Sequence, residues 1–216
     1  SHIQRVQASA PNNFNCSPKQ PADFHVPATD VDLLVIEPYD GQLITGKVNM
    51  RPAVVDGACV ADPSRDLLKI AVVNRYHDAP VALGWITNLG LKRGAIASCV
   101  AHDSHNIVAV GTNDEDLCAA VNAVIRSRGG ISLADGPLSM ELALPVAGIM
   151  STADAYEVAR DYSMIDQAAK QLGCTMAAPY MTLSFMALLV IPHLKMSDLG
   201  LFDGDAFAFV PALPRT

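Results

Sequence analysis

Short runs of apolar residues, each bounded by glycine or by polar residues, recur along most of this chain. Runs of this length and punctuation favour buried strands over helices. The runs that predict strands are residues 31–37, 67–74, 81–87, 94–101, 107–110, 131–133 and 138–142. Asp135-Gly136 lies between the last two runs and is a turn dipeptide, so it predicts a hairpin. Strands joined by such short turns indicate antiparallel or mixed sheets.

Two further segments carry apolar residues at helical spacing. The first is predicted to begin after Asn113, which caps a first turn of acidic residues, and to end at Gly129-Gly130. The second is predicted to begin at Ser151 or Thr152 and to end at Gly173. Both apolar stripes should pack on sheet faces. The predicted fold class is therefore α+β, with mixed or antiparallel, hairpin-rich β-sheets flanked by helices and no TIM barrel in this chain.

The N-terminal part differs in composition from the rest of the chain. Residues 1–27 are rich in Pro, Asn, Ser and Gln, and four prolines among them oppose regular structure. We predict a linker or extended arm over residues 1–27 and one domain over residues 28–216.

Composition excludes several functional classes. Half of the residues are hydrophobic and the net charge is −7, without a cluster of basic residues, which argues against a nucleic-acid or anionic-membrane surface. The longest apolar run, residues 181–191, is shorter than the ~20 residues that cross a bilayer, and we interpret it as core. The five cysteines show no metal-knuckle spacing, and no secretory signal opens the chain. Reduced thiols and a cytoplasmic location are expected.

A dense polar turn separates the predicted strands 94–101 and 107–110. We call it the polar tip, and its members are His102, Asp103, Ser104, His105 and Asn106. Placing such groups between two buried strands is costly unless they bond one another or meet a ligand or partner. Two interpretations remain open: a turn closed by Asx-type bonds from Asp103 and Asn106, and a functional surface on a rigid sheet.

The residue types near this turn allow several chemical roles. His102 and His105 lie three residues apart beside Asp103 and could serve a metal or acid–base site, but HxH and HExxH patterns are absent and no further donor is evident. Ser104 lacks the GxSxG surroundings of a nucleophile. Arg93 could bind an anion or lie in a solvated turn. No metal ligand is therefore assigned.

The segments 90–98 (GLKRGAIAS), 100–106 (VAHDSHN) and 110–116 (VGTNDED) resemble the C-terminal domain of bacterial adenine deaminase. The resemblance continues through residues 144–151, 172–174, 181–185, 191–192 and 199–201, with a weaker match at 42–45. It covers nearly everything after the N-terminal arm.

This resemblance implies membership of the amidohydrolase superfamily, whose adenine deaminases convert adenine and water to hypoxanthine and ammonia with a metal-activated hydroxide. It implies Mn or Fe as the divalent metal of the parent enzyme, held by a TIM barrel that precedes this domain. Such a barrel needs ~250 residues, more than this chain contains, so the resemblance covers an accessory part. Because metal activation of water requires several ligands, the chain by itself is expected to bind no cofactor and to be inactive.

The resemblance also implies a role for the polar tip. Because sites often form between domains, the tip and Arg93 are expected to be substrate-site or interdomain residues that complete or shield the adenine site at the barrel. The expected partners are adenine, the missing barrel domain and further copies in a homo-oligomer, with no nucleic acid and no membrane. Two rival hypotheses are a purely structural or oligomerisation domain and a stand-alone small-molecule-binding protein.

Overall fold

The computed structural model describes residues 11–212. Its strands are β1 Leu33–Pro38, β2 Thr45–Met50, β3 Ala53–Val55, β4 Ala58–Val60, β5 Leu68–Val73, β6 Ala82–Ile86, β7 Ala95–Ser98, β8 Ile107–Gly111, β9 Gly130–Asp135, β10 Leu138–Ala143, β11 Leu194–Ser197, β12 Gly200–Asp203 and β13 Ala208–Val210. Its helices are the 3-10 helix Pro21–Phe24, α1 Asp114–Arg126, α2 Ala155–Gln171 and α3 Pro179–Phe185. Residues 1–10 of the predicted arm and residues 213–216 lie outside the described part.

Eight strands form one open sheet in the order β10-β9-β7-β8-β5-β6-β1-β2. Neighbouring strands are antiparallel except for the parallel pair β1 and β6. The remaining strands form a three-stranded sheet, β11-β12-β13, and the hairpin β3-β4. The predicted α+β class with hairpin-rich, mixed sheets is confirmed.

The central strands β5, β7 and β8 are buried along their whole length. Side chains of one face, such as Ile70 and Ile96, share an apolar cluster with residues of α2 and α3. Side chains of the other face, such as Ala71 and Ala97, share a second cluster with α1. Alternate residues of a strand point to opposite faces, so each central strand contributes to both clusters. Both predicted helices therefore pack on sheet faces, as expected.

The start of one helix was predicted correctly and that of the other was not. Asn113 caps α1, since its Oδ1 accepts a hydrogen bond from the Asp116 N–H at 2.7 Å. The predicted start of α2 at Ser151 or Thr152 is wrong, because the helix begins at Ala155. The Ser151 hydroxyl accepts from the Ala153 N–H at 3.0 Å in a preceding turn. Asp154 takes the capping role with a bond from the Tyr156 N–H at 2.9 Å.

The apolar run 181–191 is core only in part. Its first residues belong to α3, a helix that the sequence pattern did not predict. Leu183 and Met186 are fully buried, whereas Met181 is 52% and Val190 68% exposed. Within residues 11–212, no helix combines the length and apolar character needed to cross a membrane.

The described part of the arm, residues 11–27, packs on the domain. Phe14 and Phe24 are buried in the apolar cluster that also contains residues of α1. Cys16 of the arm and the other four cysteines are buried free thiols, as expected.

A buried lysine joins the arm, the sheet and α1. Lys69 on β5 is 1% exposed, and its Nζ donates to the Phe24 carbonyl at 2.8 Å and to Asp114 Oδ1 at 2.5 Å. The same Nζ lies 5.9 Å from the centre of the Trp85 ring. A buried charge is tolerated when it is paired and hydrogen-bonded, so Asp114 is needed for this junction.

We predict that Asp114→Asn destabilises the protein by about 2–4 kcal/mol, because it leaves the Lys69 charge buried without its counter-ion. Urea unfolding followed by circular dichroism measures the change. Glu115→Gln is the matched control, since Glu115 is an exposed acid in the same first turn of α1. If the two variants unfold at the same urea concentration, the ion pair between Lys69 and Asp114 does not stabilise the protein.

Candidate functional site

The polar tip lies at one end of the large sheet, in the connection between β7 and β8. These strands pair antiparallel with Ser98 opposite Val108, which confirms the predicted hairpin, although β7 covers only part of residues 94–101. Asp103 and Ser104 are exposed, His102 and His105 are half-buried, and Asn106 is buried. The tip is thus neither sealed in the core nor fully solvated.

The loop after β5 is hydrogen-bonded to the tip. Asn106 Oδ1 accepts a hydrogen bond from the Arg75 N–H at 3.2 Å. The Tyr76 hydroxyl donates to the Ser104 carbonyl at 2.6 Å. Asx-type closure is therefore not what holds the tip: Asn106 bonds a neighbouring loop, and no hydrogen bond of the Asp103 carboxylate occurs among the described residues.

Helix α3 positions the first histidine of the tip. The His102 N–H donates to the Ser184 carbonyl at 3.1 Å, and its ring stacks on Phe185 with 5.3 Å between ring centres. This ring borders a mainly apolar cavity of about 120 Å³. The cavity is lined by Ser98, Val100, His102, Ile131, Leu142, Leu144, Tyr162, Tyr180, Met181 and Ser184. Burial raises the pKa of Tyr180 well above 10.0, so its hydroxyl is a neutral donor, bonded to the Ser132 carbonyl at 2.9 Å.

The second histidine is biased toward its neutral form. Burial lowers the pKa of His105 below 6.5, and positive charge on His102 and Arg75 lowers it further, against a smaller opposing effect of Asp103. Its backbone adopts a left-handed conformation with φ of 54°, and its N–H donates to the Ala101 carbonyl at 2.7 Å. Among the described residues, His105 Nδ1 has no hydrogen-bond partner although it is buried.

The tip does not assemble a metal site. The ring centres of His102 and His105 are 5.7 Å apart in an edge-to-face arrangement. Within residues 11–212, no three His, Cys, Asp or Glu side chains are grouped so that they could hold a metal ion. The residues present therefore do not fit the metal that the resemblance implies for the parent enzyme.

The remaining candidates occupy different places. Ser104 Oγ accepts a long bond from the Asn106 N–H at 3.4 Å and no general base is bonded to it among the described residues. Arg93 precedes β7, whereas the tip follows this strand, so the two lie at opposite ends of it. Arg93 is exposed and pairs with Asp135 at 2.9 Å. The structure thus brings the five tip residues together but leaves Arg93 apart from them.

The residues that support the tip carry no distinctive sequence signal. Arg75 and Tyr76 lie between the predicted strands 67–74 and 81–87, and Phe185 lies in the run 181–191 that is interpreted as core. The strand order brings Arg75 and Tyr76 to the tip: because β5 pairs antiparallel with β8, Val73 lies opposite Ile107, and the loop after β5 meets the tip. That order depends on long-range pairing and is not readable from local periodicity.

Exposed apolar side chains adjoin the tip. Val190 is 68%, Leu199 74% and Phe209 47% exposed. Together with Asp103 and Ser104 they line a depression of about 330 Å³. Contiguous apolar surface beside polar groups is typical of an interaction site.

Comparison with known proteins identifies the family. The model of the adenine deaminase C-terminal domain matches residues 42–208. The adenine deaminase of Salinibacter ruber is 51% identical over 212 residues, which are 97% of this chain and 39% of that protein. That of Methanosarcina barkeri is 51% identical over 176 residues, or 82% of this chain and 32% of that protein. That of Borreliella afzelii is 42% identical over 212 residues, again 97% and 39%.

The chain belongs to the adenine deaminase C-terminal domain family. The resemblance drawn from residues 90–116 and the later segments is thereby confirmed. The chain spans between 32% and 39% of the length of these curated relatives.

We predict that His105 makes the protein less stable in acid. Because its pKa is lower in the folded protein than in the unfolded chain, the unfolded chain binds the proton more readily below about pH 6.5. Stability contributed by neutral His105 is therefore lost as pH falls through this value. In His105→Asn, where Asn suits the left-handed backbone, the unfolding midpoint should fall less between about pH 7.5 and pH 5.5 than in the unmodified protein.

His25 provides the control, because it is exposed and distant in sequence from the tip. His25→Asn should keep the pH dependence of the unmodified protein. An unchanged pH dependence in His105→Asn would show that the imidazole is not held neutral by its surroundings.

Proposed function

We propose that this chain acts as the C-terminal part of an adenine deaminase, which converts adenine and water to hypoxanthine and ammonia. Its polar tip completes or shields the adenine site, and the remainder of the enzyme carries the catalytic metal, Mn or Fe. The names of the relatives support the activity, and the share of their length outside the match leaves room for a barrel domain.

The observation that carries this proposal is the arrangement of the tip. Tyr76 and Asn106 hold the loop to the neighbouring strand end, which leaves Asp103 and Ser104 facing outward and His102 at the rim of a cavity. Loops fixed on a rigid sheet are frequent sites of binding and catalysis. The adjoining Val190, Leu199 and Phe209 supply apolar surface for a neighbouring domain.

The path of the arm also supports a position of the remaining enzyme close to the tip. The Ala147 N–H donates to the Pro11 carbonyl at 2.7 Å, and the Asn15 N–H donates to the Arg75 carbonyl at 2.7 Å. Arg75 in turn bonds Asn106 of the tip. A domain joined to the chain before Pro11 would therefore be tethered close to the tip.

The tip side chains have chemistry that suits a purine. Imidazole, carboxylate, hydroxyl and amide groups offer both donors and acceptors for the edge of a base. The tip would bind, orient or enclose the substrate, while this chain supplies no metal ligand. We also propose a homo-oligomeric, cytoplasmic enzyme, the latter in keeping with the five free thiols.

In the full-length enzyme, His102→Ala should lower kcat/KM for adenine about 5- to 150-fold and leave the bound metal unchanged. The reason is the loss of one hydrogen bond to the bound base, worth about 1–3 kcal/mol. Steady-state kinetics and metal analysis of the same preparations measure both quantities, with His25→Ala as the control.

Two other results would contradict this role. Loss of metal from His102→Ala would indicate a ligand. Unchanged kinetics together with a changed molar mass in light scattering would favour the rival structural or oligomerisation domain.

A further inference from the structure

Arg75, directly beneath the tip, is a buried cation without an acidic partner. Its residue is 5% exposed, and it takes part in no ion pair among residues 11–212. Residues 1–10 and 213–216 contain no Asp or Glu, so none of the Asp and Glu side chains of these 216 residues forms an ion pair with it. Burying a charge without a counter-charge is costly.

Neutral groups meet only part of what the guanidinium offers. Nη1 donates to the Ala147 carbonyl at 2.8 Å and Nη2 to the Tyr76 hydroxyl at 3.1 Å. The Phe14 and Tyr76 rings lie 5.7 and 4.8 Å from the guanidinium carbon. Nε is buried and has no acceptor among the described residues. Within residues 11–212, two of the five N–H donors of the side chain are therefore bonded, and no acidic side chain pairs with the positive charge.

Further unsatisfied groups and an open depression surround the same side chain. Within residues 11–212, the buried polar side-chain atoms that lack a partner are Asn12 Oδ1, Arg75 Nε and His105 Nδ1. Arg75 and Asn12 line one depression of about 430 Å³ together with Pro11, Asn13 and Ala147. Burial and the charge of His102 lower the pKa of His105 most, and the charge of Arg75 lowers it further. Because buried polar groups are nearly always satisfied, the unpaired Arg75 Nε and the adjoining depression together indicate a place where an acceptor group can bind.

We propose that Arg75 is the anchor of an anion-binding site that takes one carboxylate or small oxyanion. Arginine suits this ligand because its planar N–H groups bond two oxygens of a carboxylate or oxyanion side by side. The depression has space for the anion and for water that donates to Asn12 Oδ1. The anion is either a carboxylate side chain from the remainder of the enzyme or a free oxyanion. This site does not depend on the proposed role of the tip in adenine binding.

Gly148 supplies a way to disturb the site without removing the charge. A Cβ at Gly148 would overlap Arg75 Nη1, and the glycine has φ of +79°. Gly57 has φ of +78° but open space around it, so Gly57→Ala carries the same backbone strain without the overlap. A difference between Gly148→Ala and Gly57→Ala therefore reports the displacement of the Arg75 guanidinium and not the backbone strain.

The first experiment titrates the 216-residue chain with sulfate and with formate against chloride at constant ionic strength. The unfolding temperature should rise to a plateau with both anions. The plateau should disappear in Arg75→Gln and Gly148→Ala and persist in Gly57→Ala and in Arg160→Gln, which alters an exposed arginine. A non-saturating rise of equal slope in all five proteins would overturn the site.

A second experiment needs no variant, so it tests anion binding at Arg75 even if Arg75→Gln fails to fold. Crystals of the chain grown or soaked with selenate should show an anomalous peak within hydrogen-bond distance of Arg75 Nε. Ordered water alone at this position, with selenate bound elsewhere or not at all, would overturn the proposal.

The full-length enzyme distinguishes the two sources of the anion. If a carboxylate of the remainder fills the site, selenate should bind Arg75 in the isolated chain but not in the full-length enzyme, whose structure should show that carboxylate at Nε. If the anion is free, selenate should bind in both. Failure of tip variants to alter adenine kinetics would leave these outcomes unaffected, so the two proposals fail independently.

Discussion

Burial of the central strands on both faces is the constraint on which the rest of the structure depends. Every residue of β5, β7 and β8 is enclosed between the α1 side and the α2–α3 side of the sheet. Polar groups along these strands would lie in an apolar interior, where they are costly. Polar side chains of these three strands are therefore limited to Lys69 and to Ser98, which is the last residue of β7.

Antiparallel pairing then decides which strand ends meet. Since β5 and β7 both pair antiparallel with β8, the ends of β5 and β7 and the start of β8 lie at the same edge of the sheet. Arg75 follows β5 and the polar tip joins β7 to β8, so the two polar segments are neighbours. The arm reaches the same edge through Asn15 and Pro11. The antiparallel pairing of β5 and β7 with β8 therefore brings Arg75, the two histidines of the tip and the N-terminal arm close together.

Sequence patterns predicted the elements whose signals are local. The hairpin around the tip, the cap at Asn113 and the hairpin at Asp135-Gly136 each depend on residues within a few positions of one another, and the structure contains all three. Strand β2 and the sheet β11–β13 were missed because they are short or half-exposed. Their strand partners are neighbours in sequence, but the contacts that join β2 to β11 are distant in sequence. Thr45 Oγ1, for example, donates to the carbonyl of Leu194 at 2.8 Å. Such pairings leave no periodic trace in either segment.

The same limit applies to buried charges. Lys195 is fully buried, donates to the Leu43 carbonyl at 2.6 Å, and has its pKa lowered to about 8 by burial. Nothing in its neighbourhood in the sequence distinguishes it from an exposed lysine. Arg75 is a similar case, since its surroundings come from Phe14, Tyr76 and Ala147. The tip residues could be singled out from the sequence, whereas the groups that hold and surround them required the fold.

The proposed role of the polar tip is tested most directly by a crystal structure of the full-length protein with hypoxanthine or adenine bound. We expect a side chain of the polar tip to lie within ~4.5 Å of the base, at the boundary between this domain and the remainder of the protein. A base enclosed entirely by other parts of the enzyme, with His102 and Asp103 facing solvent or another subunit, would contradict it.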